Sequence, residues 1–319
     1  MAEVVAFDTI RAYPNASWND WTPQSSDPSQ QFVNAQSVFI DHMDRLWVLD
    51  VGAAFLGNVT AKGPKLVLIN MQNDNVERIY DLSDIAEITS YLNDVRISED
   101  GNHAFITDSN MGGIRVVDLE SGSGRVLLQD DPSTQAEPGF VTSVEGQPML
   151  LANDKPAAFA SDGIAVLNGY VYYHACTGRT LYRIKETLLT DATKTEKEVK
   201  AGVEMVGLSG VPDGLVTAGD ASLKGTLYMT AIEKDGIDYM DSMDRVLPFV
   251  SNEILQWPDS LSVPVLSTDG EPNYIYVTAS QVNTAPIIKN AKPRRNTYGL
   301  YRAELPCATN TCKNKEQSK

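Results

Sequence analysis

The sequence predicts an all-β fold, a six-bladed β-propeller, with five or an irregular six blades as the alternative. Three observations predict it. First, one unit recurs along the chain: a polar residue, a short apolar strand, a tight turn and a second strand rich in β-branched and aromatic residues. It starts at Gln36, at Asn93-Asp94, at Asp162, at Asp213 and at Asp259. Second, the four Asp residues in that series follow one another after 68, 51 and 46 residues, a spacing that suits blades of several strands. Third, the turns carry hairpin chemistry. Asn168-Gly169 joins the strands 164–167 and 170–175, and Asp100-Gly101 joins those on either side of it.

Taken in order, residues 3–9 read as a strand. Residues 14–31 are rich in Pro, Ser, Asn and Asp around Trp18 and Trp21, which makes a structured loop. Residues 36–50 form the first hairpin, turning at Met43-Asp44, and 65–70 and 76–81 are its outer strands. Residues 84–92 suit one helical turn. The second blade spans 93–108 and is completed by 114–119 and 125–129. Residues 130–160, with several Pro, Gly and Asp, read as a long excursion across one face. The third blade occupies 161–185. Lys and Glu at helical spacings mark 188–204 as a solvated connection. The fourth hairpin runs from Pro212 to Thr230, and 235–252 reads as another long loop. The fifth runs from Pro258 to Thr278 with a turn at Asp269-Gly270. Residues 284–296 are loop-like and 298–305 form a last strand. A sixth blade is expected from the N-terminal strand, the C-terminal strand and part of 130–160. The whole is one domain over 1–306 with a polar tail, 307–319.

Composition narrows the partners. The 319 residues carry a net charge of −16, which repels phosphate backbones and anionic lipid, so no nucleic acid and no membrane is expected. No apolar run reaches the length of a membrane span. Cys307 and Cys312 are spaced for a small-loop disulfide, and Cys176 is left over. Asn15-Ala16-Ser17 and Asn58-Val59-Thr60 fit the glycosylation pattern, while Met1-Ala2-Glu3 shows no signal peptide. Secretory and cytoplasmic locations both stay open, and the oligomeric state is not set.

Leu46-Trp47-Val48-Leu49-Asp50-Val51-Gly52 resembles a signature of the Yellow and major royal jelly protein family. Lys65-Leu66-Val67-Leu68-Ile69-Asn70, residues 104–119 and residues 162–187 are similar to further stretches of that family. The resemblance runs from about residue 36 to 305. It implies a propeller, mostly six-bladed in animal members, which bind small amines or act in pigment pathways. The fungal group includes cofactor-free catalysts of cycloaddition in secondary metabolism. Pro212-Asp213-Gly214 is also similar to a motif of calcium-dependent propeller lactonases of the gluconolactonase type. Those enzymes use a Glu early in the first blade, where this chain has Asn34 or Gln36.

In a propeller the first strand of each blade lines a central channel and the second runs back, so first-strand starts and second-strand ends share one mouth. Asp94, Asp162 and His174 are the groups there best able to move a proton, and are the candidate catalytic residues. Phe55, Tyr91, Asn110, Met111, Thr177, Asp213, Glu233, Trp257, Asp259, Ser280 and Gln281 are candidate substrate-binding residues. Each has a plainer reading. The repeated Asp accepts backbone N–H bonds at strand starts, His174 is a satisfied core residue, and Cys176 is structural. No cofactor is expected, since no dinucleotide fingerprint, phosphate loop, catalytic-triad spacing or His/Cys metal cluster occurs. Converging carboxylates leave Ca²⁺ as the alternative. The first functional reading is an enzyme that binds a small, largely apolar secondary metabolite and catalyses its cyclisation or hetero-Diels–Alder cycloaddition, with or without dehydration. A Ca²⁺-dependent lactone hydrolase and a non-catalytic small-molecule binding protein are the other two.

Overall fold

Short β-branched and aromatic runs, punctuated by Asn, Asp and Gly at positive φ, can satisfy their backbone only by pairing with sequence neighbours, and this chain does so sheet after sheet. The computed structural model describes residues 1–319 except 7–8, 24–26, 55–56, 219–224, 265–272, 290, 292–297 and 307–319. The predicted disulfide cysteines, the Asp269-Gly270 turn, Phe55 and the polar tail therefore lie outside the described residues.

The fold is an all-β propeller fold. A hairpin of β1 (Ala2–Ala6) and β2 (Thr9–Ala12) comes first. The first blade is β3 (Ala35–Ile40), β4 (Leu46–Asp50), β5 (Lys65–Asn70) and β6 (Asn75–Asp81), paired in that order. The second is β7 (Leu92–Ile97), β8 (His103–Asp108), β9 (Ile114–Asp118) and β10 (Gly124–Leu127). A small hairpin follows, β11 (Ser143–Val144) and β12 (Gln147–Pro148). The third blade is β13 (Ser161–Leu167), β14 (Tyr170–Ala175), β15 (Thr180–Lys185) and β16 (Glu204–Leu208). The helices α1 (Glu186–Thr190) and α2 (Glu196–Ala201) connect β15 to β16. The fourth blade is β17 (Leu215–Ala218), β18 (Thr226–Ala231), β19 (Gly236–Met240) and β20 (Val246–Ser251). The fifth has three strands, β21 (Pro258–Ser262), β22 (Tyr274–Ala279) and β23 (Gly299–Glu304).

Five blades, the alternative count, are thus present among the described residues, and the expected sixth is not. The strands assigned to it are used otherwise: β1 pairs with β2, β11 with β12, and β23 closes the fifth sheet. Residues 235–252, read as a loop, are the strands β19 and β20. Their turn has an internal precedent in the chain. Asp241 accepts hydrogen bonds from the Met243 and Arg245 N–H groups and from Arg245 Nε, just as Asp41 does from Met43 and Arg45 between β3 and β4. The shared pattern Asp-x-Met-Asp-Arg puts Asp44 and Asp244 at positive φ, which closes both hairpins. Residues 84–92 form two separate turns rather than a helix, closed by Ile85 N–H to Leu82 O and Ser90 N–H to Glu87 O.

The chain divides into two compact units. One comprises Met1–Glu137, Ala158–Cys176 and Tyr182–Glu204, the other Pro138–Ala157, Thr177–Leu181 and Met205–Lys319. In the first unit, Trp47, Leu49, Leu66, Leu92, Val95 and Ile106 fill the space between the first and second blades, and Phe105, Ile114, Val171, Tyr173 and Leu189 that between the second and third. In the second, Ile237, Leu261, Ile275 and Val277 anchor a core of their own. No helix among the described residues is long and apolar enough to cross a membrane.

One feature of the register positions the candidate site. Strand pairing slips at the start of the first strand in four blades: between Ala35 and Ser37, Leu92 and Val95, Ser161 and Ile164, and Pro258 and Leu261. These are β-bulges, and they fall on Gln36, Asn93-Asp94, Asp162-Gly163 and Asp259-Ser260, the polar residues that open each unit. A bulge adds a residue to one strand and re-aims the side chains on it.

Candidate functional site

In the first unit the bulged residues are joined by an unbroken row of hydrogen bonds. Tyr91 Oη donates to Gln36 Oε1 at 2.8 Å, and Gln36 Nε2 donates to Asn93 Oδ1 at 2.9 Å. Asn93 Nδ2 donates to Ser109 Oγ at 2.7 Å, and Ser109 Oγ donates to Asp162 Oδ2 at 2.9 Å. Every donor points the same way, so the row ends on the Asp162 carboxylate, and bonds aligned in this manner polarise one another. Asp162 is 7% exposed, and Gln36, nearer the start of the row, lies at the surface. The β13–β14 register pairs Ser161 with Ala175 and Ile164 with Tyr173, which leaves Asp162 and Gly163 opposite His174 alone. Two of the three candidate catalytic residues are therefore cross-strand neighbours at a bulge. His174 is fully buried, with Nδ1 3.0 Å from the carbonyl of Ala175. A carboxylate oxygen of Asp162 also lies within 4.8 Å of the buried Cys176 Sγ.

Asp94, the third, is committed elsewhere. Arg96 Nη1 lies 2.6 Å from its Oδ1, and Ser37 Oγ donates to the same oxygen at 2.8 Å. Asp94 N–H donates to Thr107 Oγ1, whose hydroxyl donates in turn to the Asp162 carbonyl at 2.5 Å. The same device holds two strand starts in the second unit. Thr230 Oγ1 accepts from the Asp213 and Gly214 N–H groups, and Thr278 Oγ1 from Ser260 N–H. These threonines were not singled out as site residues. Their signal was nonetheless in the sequence, because a Thr recurs near the end of the second strand in these three units.

The other candidates occupy varied positions. Tyr91, a candidate substrate-binding residue, opens the hydrogen-bond row through its hydroxyl. Asn110 donates to Thr89 O, and Met111 Sδ accepts from Thr89 Oγ1. In the second unit Trp257 Nε1 donates to Asp213 Oδ2 at 2.6 Å, and Trp257 is 2% exposed in a left-handed conformation, φ 53°. A bulky residue at such a φ is a strained position. Asp259 accepts from Ser260 Oγ, and Glu233 accepts from Ser143 N–H at 2.7 Å. Thr177 and Gln281 are buried, and Ser280 Oγ has no hydrogen-bond partner among the described residues.

The second-strand ends Asp50 and Asp108 have a structural role. Asp50 accepts from the N–H groups of Val33, Asn34 and Gly52 and pairs with Lys65 at 2.7 Å, both side chains buried. Burial pushes the Lys65 ammonium below its usual range, and Asp50 offsets part of that shift. Asp108 accepts from Tyr91, Asn110 and Met111 N–H and faces Arg115 Nη2 at 2.7 Å, a contact whose angles fall outside hydrogen-bond geometry. In the first two blades one arrangement thus ties the loop before the first strand to the turn after the second.

The major royal jelly protein family model matches residues 33–311. The chain belongs to that family. The match covers all five blades and every bulge of the royal jelly protein fold just described. No curated protein matches the chain. Among solved structures, an inactive variant of virginiamycin B lyase from Staphylococcus aureus with quinupristin is 14% identical, with a TM-score of 0.45. That alignment covers 78% of this chain and 66% of that one. A second structure of the Staphylococcus aureus lyase is 12% identical with a TM-score of 0.46, covering 88% and 87%. A protein provisionally described as a gluconolactonase is 16% identical with a TM-score of 0.46, covering 77% and 71%. Likenesses this distant carry no functional inference.

Proposed function

We propose that the protein binds a small, largely apolar molecule at the first-strand starts of the first unit and catalyses its cyclisation or cycloaddition without a cofactor. The observation that carries this reading is the row from Tyr91 to Asp162, which sets a single carboxylate at the end of a line of uncharged donors. An apolar surface adjoins its exposed end. On β3, Val38 and Ile40 follow the Gln36 bulge and are 58% and 54% exposed. Asp162 takes or returns the proton, His174 across the bulge supports it, and the amides of Gln36 and Asn93 orient the polar end of the substrate. Holding a flexible molecule in its reactive conformer supplies the remainder of the rate.

The reading uses no metal: Arg96 and Ser37 engage Asp94, Ser109 donates to Asp162, Trp257 donates to Asp213, and Ser260 donates to Asp259. The test is incubation of the purified protein with the small-molecule extract of cells lacking it, followed by chromatography and mass spectrometry. Cyclisation or intramolecular cycloaddition gives a new compound of unchanged mass, or one lighter by a water if dehydration accompanies it. Asp162→Asn should bind the same compound and convert it on the order of 10²–10⁴-fold more slowly. A product heavier by one water would replace this reading with lactone hydrolysis, and retention without conversion would replace it with a carrier.

A further inference from the structure

A bulge sets one second-strand residue opposite two residues of the first strand. In the second blade Leu92 pairs with Asp108 and Val95 with Ile106, so Asn93 and Asp94 face Thr107. In the fifth Pro258 pairs with Ala279 and Leu261 with Val277, so Asp259 and Ser260 face Thr278. Both threonines brace the bulge they face. Asp94 N–H donates to Thr107 Oγ1 and Ser260 N–H to Thr278 Oγ1, each at 3.1 Å. Thr230 accepts likewise from Asp213 and Gly214 at the start of the fourth blade, at 2.7 and 3.2 Å. A β-branched side chain has few χ1 choices, so each hydroxyl is held in one direction.

The third blade departs from this pattern. Ser161 pairs with Ala175 and Ile164 with Tyr173, and the residue facing Asp162 and Gly163 is His174. Its ring is fully buried, with Nδ1 3.0 Å from the Ala175 carbonyl. A carbonyl only accepts, which assigns the hydrogen of the neutral ring to Nδ1 and makes Nε2 its basic nitrogen. Where the second and fifth blades carry a bracing hydroxyl, the third carries a titratable ring.

The second blade supplies donors to this bulge. Thr107 Oγ1 accepts from Asp94 N–H and gives its one hydrogen to the Asp162 carbonyl at 2.5 Å. Ser109, two residues further along, donates to Asp162 Oδ2 at 2.9 Å, and its own carbonyl accepts from Ala160 N–H at 2.7 Å. Asp162 is therefore gripped through its main chain and through its carboxylate. Thr107 and Ser109 are both buried, which keeps these bonds from exchanging with water.

We propose that Thr107 is a positioning residue for Asp162: its hydroxyl ties the third blade's bulge to the second's and so fixes the Asp162 carboxylate against Ser109, opposite His174. The inference rests on the reading of Asp162 as the group that moves the proton. Replacing the hydroxyl with a methyl strands the Asp94 N–H and the Asp162 carbonyl together, and the bulge satisfies them again only by shifting. A shift of about 1 Å at a reacting group lowers turnover on the order of 10²-fold.

The test compares the natural chain with Thr107→Val and Thr107→Ser. The side-chain carboxyl carbon resonance of Asp162, recorded at neutral pH without substrate, reads the surroundings of the carboxylate directly. It should move in Thr107→Val and stay close to its natural position in Thr107→Ser. On the compound that the natural chain converts, Thr107→Val should lower kcat on the order of 10²-fold at little change in KM, and Thr107→Ser should recover most of that loss. Should Thr107→Val not fold, Thr107→Ala removes the hydroxyl without putting a methyl in its stead and is read in the same way. An unmoved Asp162 resonance, a full kcat without the hydroxyl, or an equal loss in Thr107→Ser would overturn the positioning role. A displaced resonance with no conversion by the natural chain would overturn the cyclisation reading instead, and would leave the grip of Thr107 on Asp162 supported.

Discussion

At the scale of single residues, the chain uses the same side chain for opposite ends. Asp50 and Asp108 are surrounded by backbone donors and a buried cation, and their chemistry is spent on holding loops. Asp162 sits at a bulge at the end of a hydrogen-bond row, with the Ser109 hydroxyl as a donor. The distinction yields contrasting predictions. Lys65→Met leaves Asp50 charged and buried without its partner, and should destabilise the fold by about 3 kcal/mol or more, read by urea unfolding. Asp162→Asn keeps the Ser109 bond and should unfold near the natural midpoint while losing turnover. A second residue-scale case is Glu186, 8% exposed at the start of α1, whose carboxylate accepts from Glu99 N–H. Burial is the main cause that raises it from 4.5 to about 7, with Glu99 and Asp100 adding to the shift. Its stabilising contribution is complete below 4.5 and is lost as pH rises through about 7. Glu186→Gln should therefore raise the melting temperature above pH 7 and leave it unchanged near pH 4.5. A gain of equal size at both pH values would contradict this.

At the scale of elements, the Asp-x-Met-Asp-Arg turn appears twice with different burial. Asp41 is 4% exposed and also accepts from Trp47 Nε1 at 2.8 Å, whereas Asp241 serves an exposed hairpin. Asp41→Ala strands a buried indole N–H and the turn donors, and should cost about 2–4 kcal/mol. Asp241→Ala should shift the melting temperature only slightly, because water replaces its bonds. Comparable losses in both would show that turn geometry, and not burial, sets the cost. The bulges are the other element-scale device. They place polar residues at the first-strand starts while the apolar alternation of the same strands resumes one residue later and reaches the core.

At the scale of the molecule, blades paired from sequence-local strands give a β-dominated spectrum, and far-ultraviolet circular dichroism should show helix well below the globular average of about a third. If the repeated carboxylates are compensated by protein donors, as proposed, a chelator should leave the melting temperature unchanged. A fall would mean that a bound cation stabilises the native state, by mass action.

The sequence by itself determined the first hairpin of each blade. Strand alternation, Asn-Gly and Asp-Gly turns and the recurring Asp are local signals, and the pairing they encode is between neighbours, so β3–β4, β7–β8, β13–β14, β17–β18 and β21–β22 were legible. It also marked the polar residues at each strand start. What only the tertiary structure decided is which of those residues meet. The row from Tyr91 to Asp162 joins positions 36, 91, 93, 109 and 162, and no local pattern says that Gln36 faces Asn93 or that Ser109 reaches Asp162. Residues 235–252 were misread because their turn residues are polar and charged, which resembles a loop until the bonds of Asp241 are seen. The partners of Asp50 and Asp94 likewise come from elsewhere in the chain, and no local pattern names them. A carboxylate's function depends on which donors surround it, and those donors arrive from other strands only when the sheets pack.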